Sequence, residues 1–508
     1  MNRLLARLGV HRREHISVAR DFSIYSAVNI FSLVLLFSTN LWLRRFVGPY
    51  VAGLWTALEL LPGYATYAHL GIINAAEREL PFLLGAGRTR DFDGLKDTLF
   101  WATNALGGAL AALTLGAALL FRDRLSHDTF VGLLAYAPCV WAQLVATYLV
   151  VLYRARKRFV ELSGRQGAAN LAKALLLISA GTAFGLYGIL AAELASFAVL
   201  IAMLAGGLRE TFARVFESAR LPALVAGGLP ILAGGLAFET LRPGGASGAD
   251  QTVILATLGK TPLGVYSIAS IVCQGLYYLP NALSIVMYPR FQERYGQTQS
   301  TDSLRRFVEL QLHVLADVLL AAIAVLFVAL PAAIRAFFPA DWSGAIAPLR
   351  VMLVATYFIS LAPPGGQLLL TIRKQMQVLL LALPCTGLGF AAAYVGAAYG
   401  LVGVATGIAL ACFAEFLAVN AYALSHFARA QTVAVEIGRL TVTAAAWLGA
   451  AVLIERLVPP GPWPANTLGG WPLLIVGLVS LPLLRRALRR IQSPQFSTGP
   501  QFSTGGRE

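Results

Sequence analysis

Stretches of about twenty consecutive apolar residues recur along this chain, and no other feature restricts its fold so severely. A bilayer core needs about 20 apolar residues per helical crossing, and within hydrocarbon every backbone N–H and C=O must find its partner inside the protein. Fourteen stretches meet that requirement: 22–43, 52–75, 98–120, 130–153, 166–184, 188–208, 221–241, 263–287, 308–331, 349–371, 377–397, 401–424, 439–455 and 468–485. Of the 508 residues, 57% are hydrophobic and 13% charged, too few to clothe a water-facing surface. The expected fold is all-α, a polytopic membrane protein of about 14 transmembrane helices.

The net charge of +15 would suggest nucleic acid in a soluble protein. Here the charges fall in short clusters between apolar runs, which reads as a topology signal and as contact with anionic lipid. With the N-terminus cytoplasmic, alternate connections place 30 of the 40 Lys and Arg on the inner side. An even number of helices with both termini inside follows. The arginine-rich start carries no small-residue cleavage site before its apolar run, so it reads as a retained first helix. Cys139, Cys273, Cys385 and Cys412 are scattered through apolar segments and read as buried small hydrophobes, with no metal or disulfide role.

The chain also echoes itself. Gly48, Gly53 and Trp55 recur as Gly259, Gly264 and Tyr266, 211 residues on; Gly185-Leu186-Tyr187-Gly188 recurs as Gly400-Leu401-Val402-Gly403 at 215; Arg156-Lys157 recurs as Arg373-Lys374 at 217. Markers in one order at nearly one offset argue for two homologous six-helix lobes. Each lobe has an even number of crossings, so the repeats are parallel, and two C-terminal helices are extra. The expected organisation is a cytoplasmic segment 1–21, an N-lobe 22–210, a C-lobe 211–428, two further helices within 429–490, and a polar tail 491–508 that repeats PQFSTG and reads as disordered. The turns near Gly185 and Gly400 are short enough to demand antiparallel hairpins. The paired glycines of the first echo read as permitting a tight turn. The stretch Arg242-Pro243-Gly244-Gly245 breaks helix 7, either as an outer loop before a short interfacial helix or as a discontinuous helix facing a cavity.

Arg44–Trp55, the run Leu70-Gly71-Ile72-Ile73-Asn74-Ala75-Ala76-Glu77-Arg78-Glu79-Leu80-Pro81, and Asp250–Tyr266 leading to Leu279-Pro280-Asn281 and Tyr288-Pro289-Arg290 resemble the polysaccharide-transporter, O-antigen flippase-like family of the multidrug/oligosaccharidyl-lipid/polysaccharide (MOP) exporter superfamily. The likeness covers residues from about 20 to 425, and the glycine-rich insertion at 242–248 departs from it. It implies alternating-access transport of a polyprenyl-diphosphate-linked oligosaccharide from the inner to the outer leaflet of a bacterial inner membrane, with other polysaccharide-assembly proteins as partners.

Such a substrate asks for cations at depth. Arg44, Arg45, Lys173 and Arg242 are the foremost candidates, with Lys260, Arg335 and Arg350 behind them. Lys173 stands inside a span with no carboxylate three or four residues away, and is either a cavity cation or a side chain snorkelling to the interface. Snorkelling is equally the alternative for Arg44 and Arg45. Ion coupling points to Glu59, Glu415 and the stripe Glu309, His313, Asp317, whose spacing puts all three on one helix face. The competing reading of that stripe is an interhelical contact. His69 reads as a satisfied interior histidine. No phosphate-binding loop, nucleophile elbow or metal spacing is present, so no cofactor and no reaction are assigned. Two other readings stay open. A drug or organic-cation antiporter of the multidrug and toxin extrusion (MATE) type needs a carboxylate-lined cavity, and a membrane glycan polymerase or ligase needs a large outer loop.

Overall fold

The computed structural model describes residues 2–208, 210–245, 247–457 and 470–491. The expectation for the tail therefore lies outside the described residues. Fifteen α-helices follow in chain order: α1 Asn2–Ala65, α2 Ile72–Gly85, α3 Thr89–Leu120, α4 His127–Ala155, α5 Phe159–Leu208, α6 Leu221–Leu241, α7 Ala249–Thr257, α8 Lys260–Thr298, α9 Asp302–Phe337, α10 Ile346–Ser360, α11 Pro363–Thr371, α12 Gln375–Gly396, α13 Gly400–Leu424, α14 Ala430–Leu457 and α15 Gly470–Ile491. Ten described helical stretches are long and apolar enough to cross a membrane. The chain is thus an all-helical, multi-pass membrane protein.

Two of those stretches, Phe159–Leu208 and Gln375–Leu424, hold 50 residues each. At 1.5 Å per residue that is about 75 Å of helix, more than twice the hydrocarbon thickness. Both fold back. In α5 the arms meet at three levels: Arg165 donates to the Met203 carbonyl, Lys173 reaches Glu193, and a Cβ on Gly188 would lie 3.1 Å from the Gly181 nitrogen. The bend falls at Gly185, whose φ of 56° is open to glycine and costly for other residues. In the second stretch, added Cβ atoms on Gly396 and Gly407 would crowd Val404 and Ala393. These are the antiparallel hairpins expected near Gly185 and Gly400, and their small residues let backbones approach closely.

The sequence echo has a backbone counterpart. Left-handed residues recur in pairs: Gly48 with Gly259, Gly87 with Gln299, Lys157 with Arg373, and Gly185 with Gly400. The third pair corrects the register of that echo from 217 to 216. In both copies the helix ends with the same bond, Arg158 N–H to the Tyr153 carbonyl and Lys374 N–H to the Leu369 carbonyl.

The chain forms two compact units, Met1–Thr240 with Gly245–Ile271, and Leu241–Gly244 with Val272–Glu508. In the first, α1, α3, α4 and α5 pack around two apolar clusters, one holding Leu43, Trp55, Tyr136, Leu177 and Ile189, the other Ile72, Leu99, Tyr148, Leu152 and Leu204. In the second, α13 packs on α10, α11 and α12, while α9 carries α10, α14 and α15.

The span expected at 52–75 is interrupted. Helix α1 stops at Ala65, and Leu70 and Gly71 take φ values of 52° and 82° before α2 begins. Buried His69 secures the turn by accepting the Gly71 N–H at Nδ1, 3.1 Å away, so this histidine is satisfied within the fold. Gly71 also abuts α6, where an added Cβ would lie 2.5 Å from the Leu229 nitrogen. Gly71→Ala is expected to cost about 2–3 kcal/mol, because strain and a backbone clash coincide. Thermal unfolding in detergent measures this, and an unchanged midpoint would refute the account.

The 242–248 break is also resolved by burial. Pro243, Gly244, Gly245, Ser247 and Gly248 are buried, so the segment is not an exposed loop. Its freed carbonyls find side-chain donors: Thr252 Oγ1 donates to Gly248 and Gln251 Nε2 to Gly245. Asp250 Oδ1 accepts its neighbour's N–H, and Asp250 Oδ2 accepts the Tyr266 hydroxyl at 3.0 Å. The irregular backbone is thus paired inside protein, and a short helix, α7, follows it.

Candidate functional site

Four charged side chains of the first unit, Arg44, Glu59, Lys173 and Glu193, come together where the two arms of α1 and the two arms of α5 lie side by side. Arg44 is buried at the end of the first arm of α1. Its Nη1 donates to Asn40 Oδ1 at 2.9 Å, Nη2 to Thr56 Oγ1 at 3.1 Å, and Nε to Ser267 Oγ at 2.8 Å. The guanidinium also stacks 4.5 Å above the Trp55 ring. A Glu59 oxygen stands 4.0 Å off. Snorkelling to headgroups is excluded for this side chain. Arg45, one residue on, faces the exposed side of the same helix.

Lys173 lies on the first arm of α5, and its Nζ is 2.8 Å from Glu193 Oε2 on the second. The pair is asymmetric: the lysine side chain is 26% exposed and the glutamate 2%. Glu193 Oε1 has no hydrogen-bond partner among the described residues. Glu59, 37% exposed, lies within electrostatic range of Glu193, Arg44 and Lys173. Buried Tyr136 of α4 faces the same two carboxylates. Two cations and two carboxylates thus share one polar region inside a membrane-length helix bundle, where unpaired charge is costly. Glu193 went unnoticed in the sequence because it is 20 residues from Lys173. The hairpin at Gly185 was the signal that could have found it. At the positions displaced by 216 and 215 residues stand Gly389 and Ile408, so the ion pair has no copy in the second repeat.

Of the remaining candidates, Lys260 lies in the first unit and the others in the second. Arg242 is half-buried and sits 4.8 Å over the Tyr277 ring. Arg350 gives two bonds of 2.5 and 2.6 Å to Glu455 of α14. Arg335 is exposed at the end of α9. Glu415 of α13 is 2% exposed, with no ion pair among the described residues and an Oε2 that lacks a hydrogen-bond partner.

The stripe on α9 is occupied. Glu309 pairs with Arg305 at 2.7 Å, His313 Nε2 with Glu436 of α14 at 2.6 Å, and Asp317 with Arg490 of α15 at 2.8 Å. Glu309 is thus paired within α9, whereas His313 and Asp317 make contacts between helices because α14 brings Glu436 and α15 brings Arg490 to their levels. Arg490→Ala and Asp317→Asn should each loosen α15 by about 1–3 kcal/mol. Faster amide hydrogen exchange confined to α15 is the expected readout, and unchanged exchange in both would contradict it.

The four cysteines are buried thiols, in no disulfide among the described residues. Among the described residues, no group of three His, Cys, Asp or Glu side chains is placed to hold a metal ion.

No protein-family model matches the chain, and no curated protein resembles it closely enough in sequence to be matched. Solved structures do match. A lipid II flippase, MurJ, in an inward closed conformation superposes with a TM-score of 0.68 at 13% identity, covering 92% of this chain and 99% of that one. An inward-facing multidrug resistance MATE family transporter of the MOP superfamily gives 0.59 at 17%, covering 83% and 99%. The eukaryotic MATE transporter AtDTX14 gives 0.56 at 14%, covering 83% and 99%. Identities this low speak to architecture alone, and the architecture of this chain is the one shared by that lipid flippase and those MOP-superfamily transporters.

Proposed function

We propose that this protein is a secondary transporter that carries a polyprenyl-diphosphate-linked oligosaccharide from the inner to the outer leaflet of a bacterial inner membrane by alternating access, with both termini cytoplasmic. The observation that carries the reading is the asymmetry of the Lys173–Glu193 pair. The lysine side chain is the partly exposed member, at 26%, and the glutamate the buried one, at 2%, so the cation is the member of the pair nearer to a ligand's approach. An ammonium suits a diphosphate, which accepts charge-assisted hydrogen bonds through several oxygens. Arg45 and Arg242, exposed and half-buried, join Lys173 as substrate cations. Arg44 serves instead by holding α1, since its donors are engaged by Asn40, Thr56 and Ser267. Glu59 and Glu415 are proposed to carry ion coupling, whereas His313 and Asp317 hold α14 and α15. The lobes 22–210 and 211–428, with two extra C-terminal helices and 14 crossings in all, belong to this proposal.

A second reading, an organic-cation antiporter, draws on different observations. The Glu59 side chain is 37% exposed, Glu415 is buried with no ion pair among the described residues, and MATE transporters share the fold. Liposomes containing the purified protein separate the two. Protein-dependent exposure of a polyprenyl-diphosphate oligosaccharide in the opposite leaflet, with no uptake of a fluorescent organic cation down an imposed proton gradient, is the expected result. Cation uptake without lipid exposure would transfer the assignment to the second reading.

A further inference from the structure

The sequence repeat returns in the structure as a physical contact. Gly53 of α1 and Gly264 of α8 lie against each other, and an added Cβ on either would sit 2.8 Å from the other's backbone nitrogen. Each Cβ would also overlap the carbonyl oxygen four residues before the opposite glycine, Lys260 for Gly53 and Pro49 for Gly264. This reciprocity is what a local two-fold axis through the crossing produces. It also reassigns the glycines: Gly48 and Gly259, at φ 77° and 92°, make the bends, whereas Gly53 and Gly264 make the contact.

Arg44 lies beside this crossing. Thr56 and Ser267, which accept from its Nη2 and Nε, are themselves 211 residues apart. One guanidinium is therefore shared by corresponding hydroxyls of the two repeats, and the second repeat supplies Leu255 at the position corresponding to the arginine. Lys260 adds a further tie, donating to Ser126 Oγ at 3.2 Å and to Thr129 at the start of α4. Residues 245–271 thus group with the first compact unit, while α8 continues from Val272 into the second.

We infer that the Gly53–Gly264 crossing, locked by Arg44 across Thr56 and Ser267, is a releasable clasp between the two repeats that opens and closes during transport. Three features suit it to release. A glycine–glycine contact interlocks no side chains, so it parts without rotamer changes. Arg44 loses only its Nε bond when Ser267 departs, because Asn40, Thr56 and Trp55 all belong to α1. Ser267 Oγ keeps a partner in the Gly264 carbonyl at 2.6 Å. The clasp lies at the end that the Lys and Arg distribution assigns to the outer face.

The inference rests on the transport reading, and its test separates the two. Ser267 is buried in the clasped state. In full-length Ser267→Cys in proteoliposomes, a membrane-impermeant maleimide is expected to label position 267 at least ten-fold faster than the parent, whose four cysteines are buried. Oxidising a Thr56→Cys/Ser267→Cys variant should form a disulfide, stop that labelling and reduce lipid transport at least ten-fold, reversibly on reduction. Labelling at the parent rate, or undiminished transport by the cross-linked protein, would overturn the clasp. Rapid labelling in a protein that moves no polyprenyl-diphosphate lipid would sustain the clasp and reject the substrate.

Discussion

Lys173→Ala is expected to destabilise the folded protein by about 3–5 kcal/mol, because it leaves Glu193 buried as an uncompensated carboxylate. Loss of transport in that variant alone therefore says nothing about substrate. The informative comparison is Lys173→Met combined with Glu193→Leu. Replacing a buried ion pair by apolar side chains of similar volume is often neutral or stabilising, so the double variant should unfold at or near the parent temperature. If Lys173 handles the diphosphate, transport stays lost although stability returns. Glu193→Gln should be milder than Lys173→Ala, since the lysine side chain it abandons is 26% exposed and flexible enough to carry its ammonium towards water. Thermal unfolding in detergent and lipid exposure in liposomes, measured on the same preparations, decide the matter. A stable double variant that transports normally would remove Lys173 from the site.

The contrast between Lys173 and the rest of the chain shows where sequence reasoning reached. The hairpins were legible because Gly185 and Gly400 interrupt apolar runs too long for one crossing, and chain length settles that question without tertiary information. The repeat was legible because Gly48 and Gly259 need left-handed backbone, which few other residues tolerate. Close approach leaves no comparable mark. Nothing local to Gly53 distinguishes a glycine at a turn from one that meets a second helix 211 residues away. Partners across a hairpin were missed for a related reason. Searching three and four residues either side of Lys173 tests one helix face, whereas the opposing arm brings Glu193 to the same level. For the α9 stripe the face was correct, but only α14 and α15 reveal that Glu436 and Arg490 consume it. Burial of the 242–248 break was likewise invisible, because proline and glycine announce irregular backbone without saying what covers it.

Arg44 and Arg45 supply the second decisive contrast, since neighbouring residues on a helix point about 100° apart and here meet opposite environments. Arg44→Ala would leave Asn40, Thr56 and Ser267 without the donor they surround and uncover the face of Trp55. A cavity and orphaned polar groups together should cost about 3–5 kcal/mol. Arg44→Lys should recover only part of this, because a single ammonium does not span two hydroxyls and a ring as the planar guanidinium does. Arg45→Ala removes an exposed side chain and should change stability by no more than about 0.5 kcal/mol. Its effect should appear in lipid transport instead, as a loss at normal protein yield and unfolding temperature. The reverse pattern, a stable Arg44→Ala protein beside a destabilised Arg45→Ala protein, would mean that the first arm of α1 is rotated relative to the bundle described above. Normal transport by Arg45→Ala at normal stability would remove Arg45 from the proposed substrate cations.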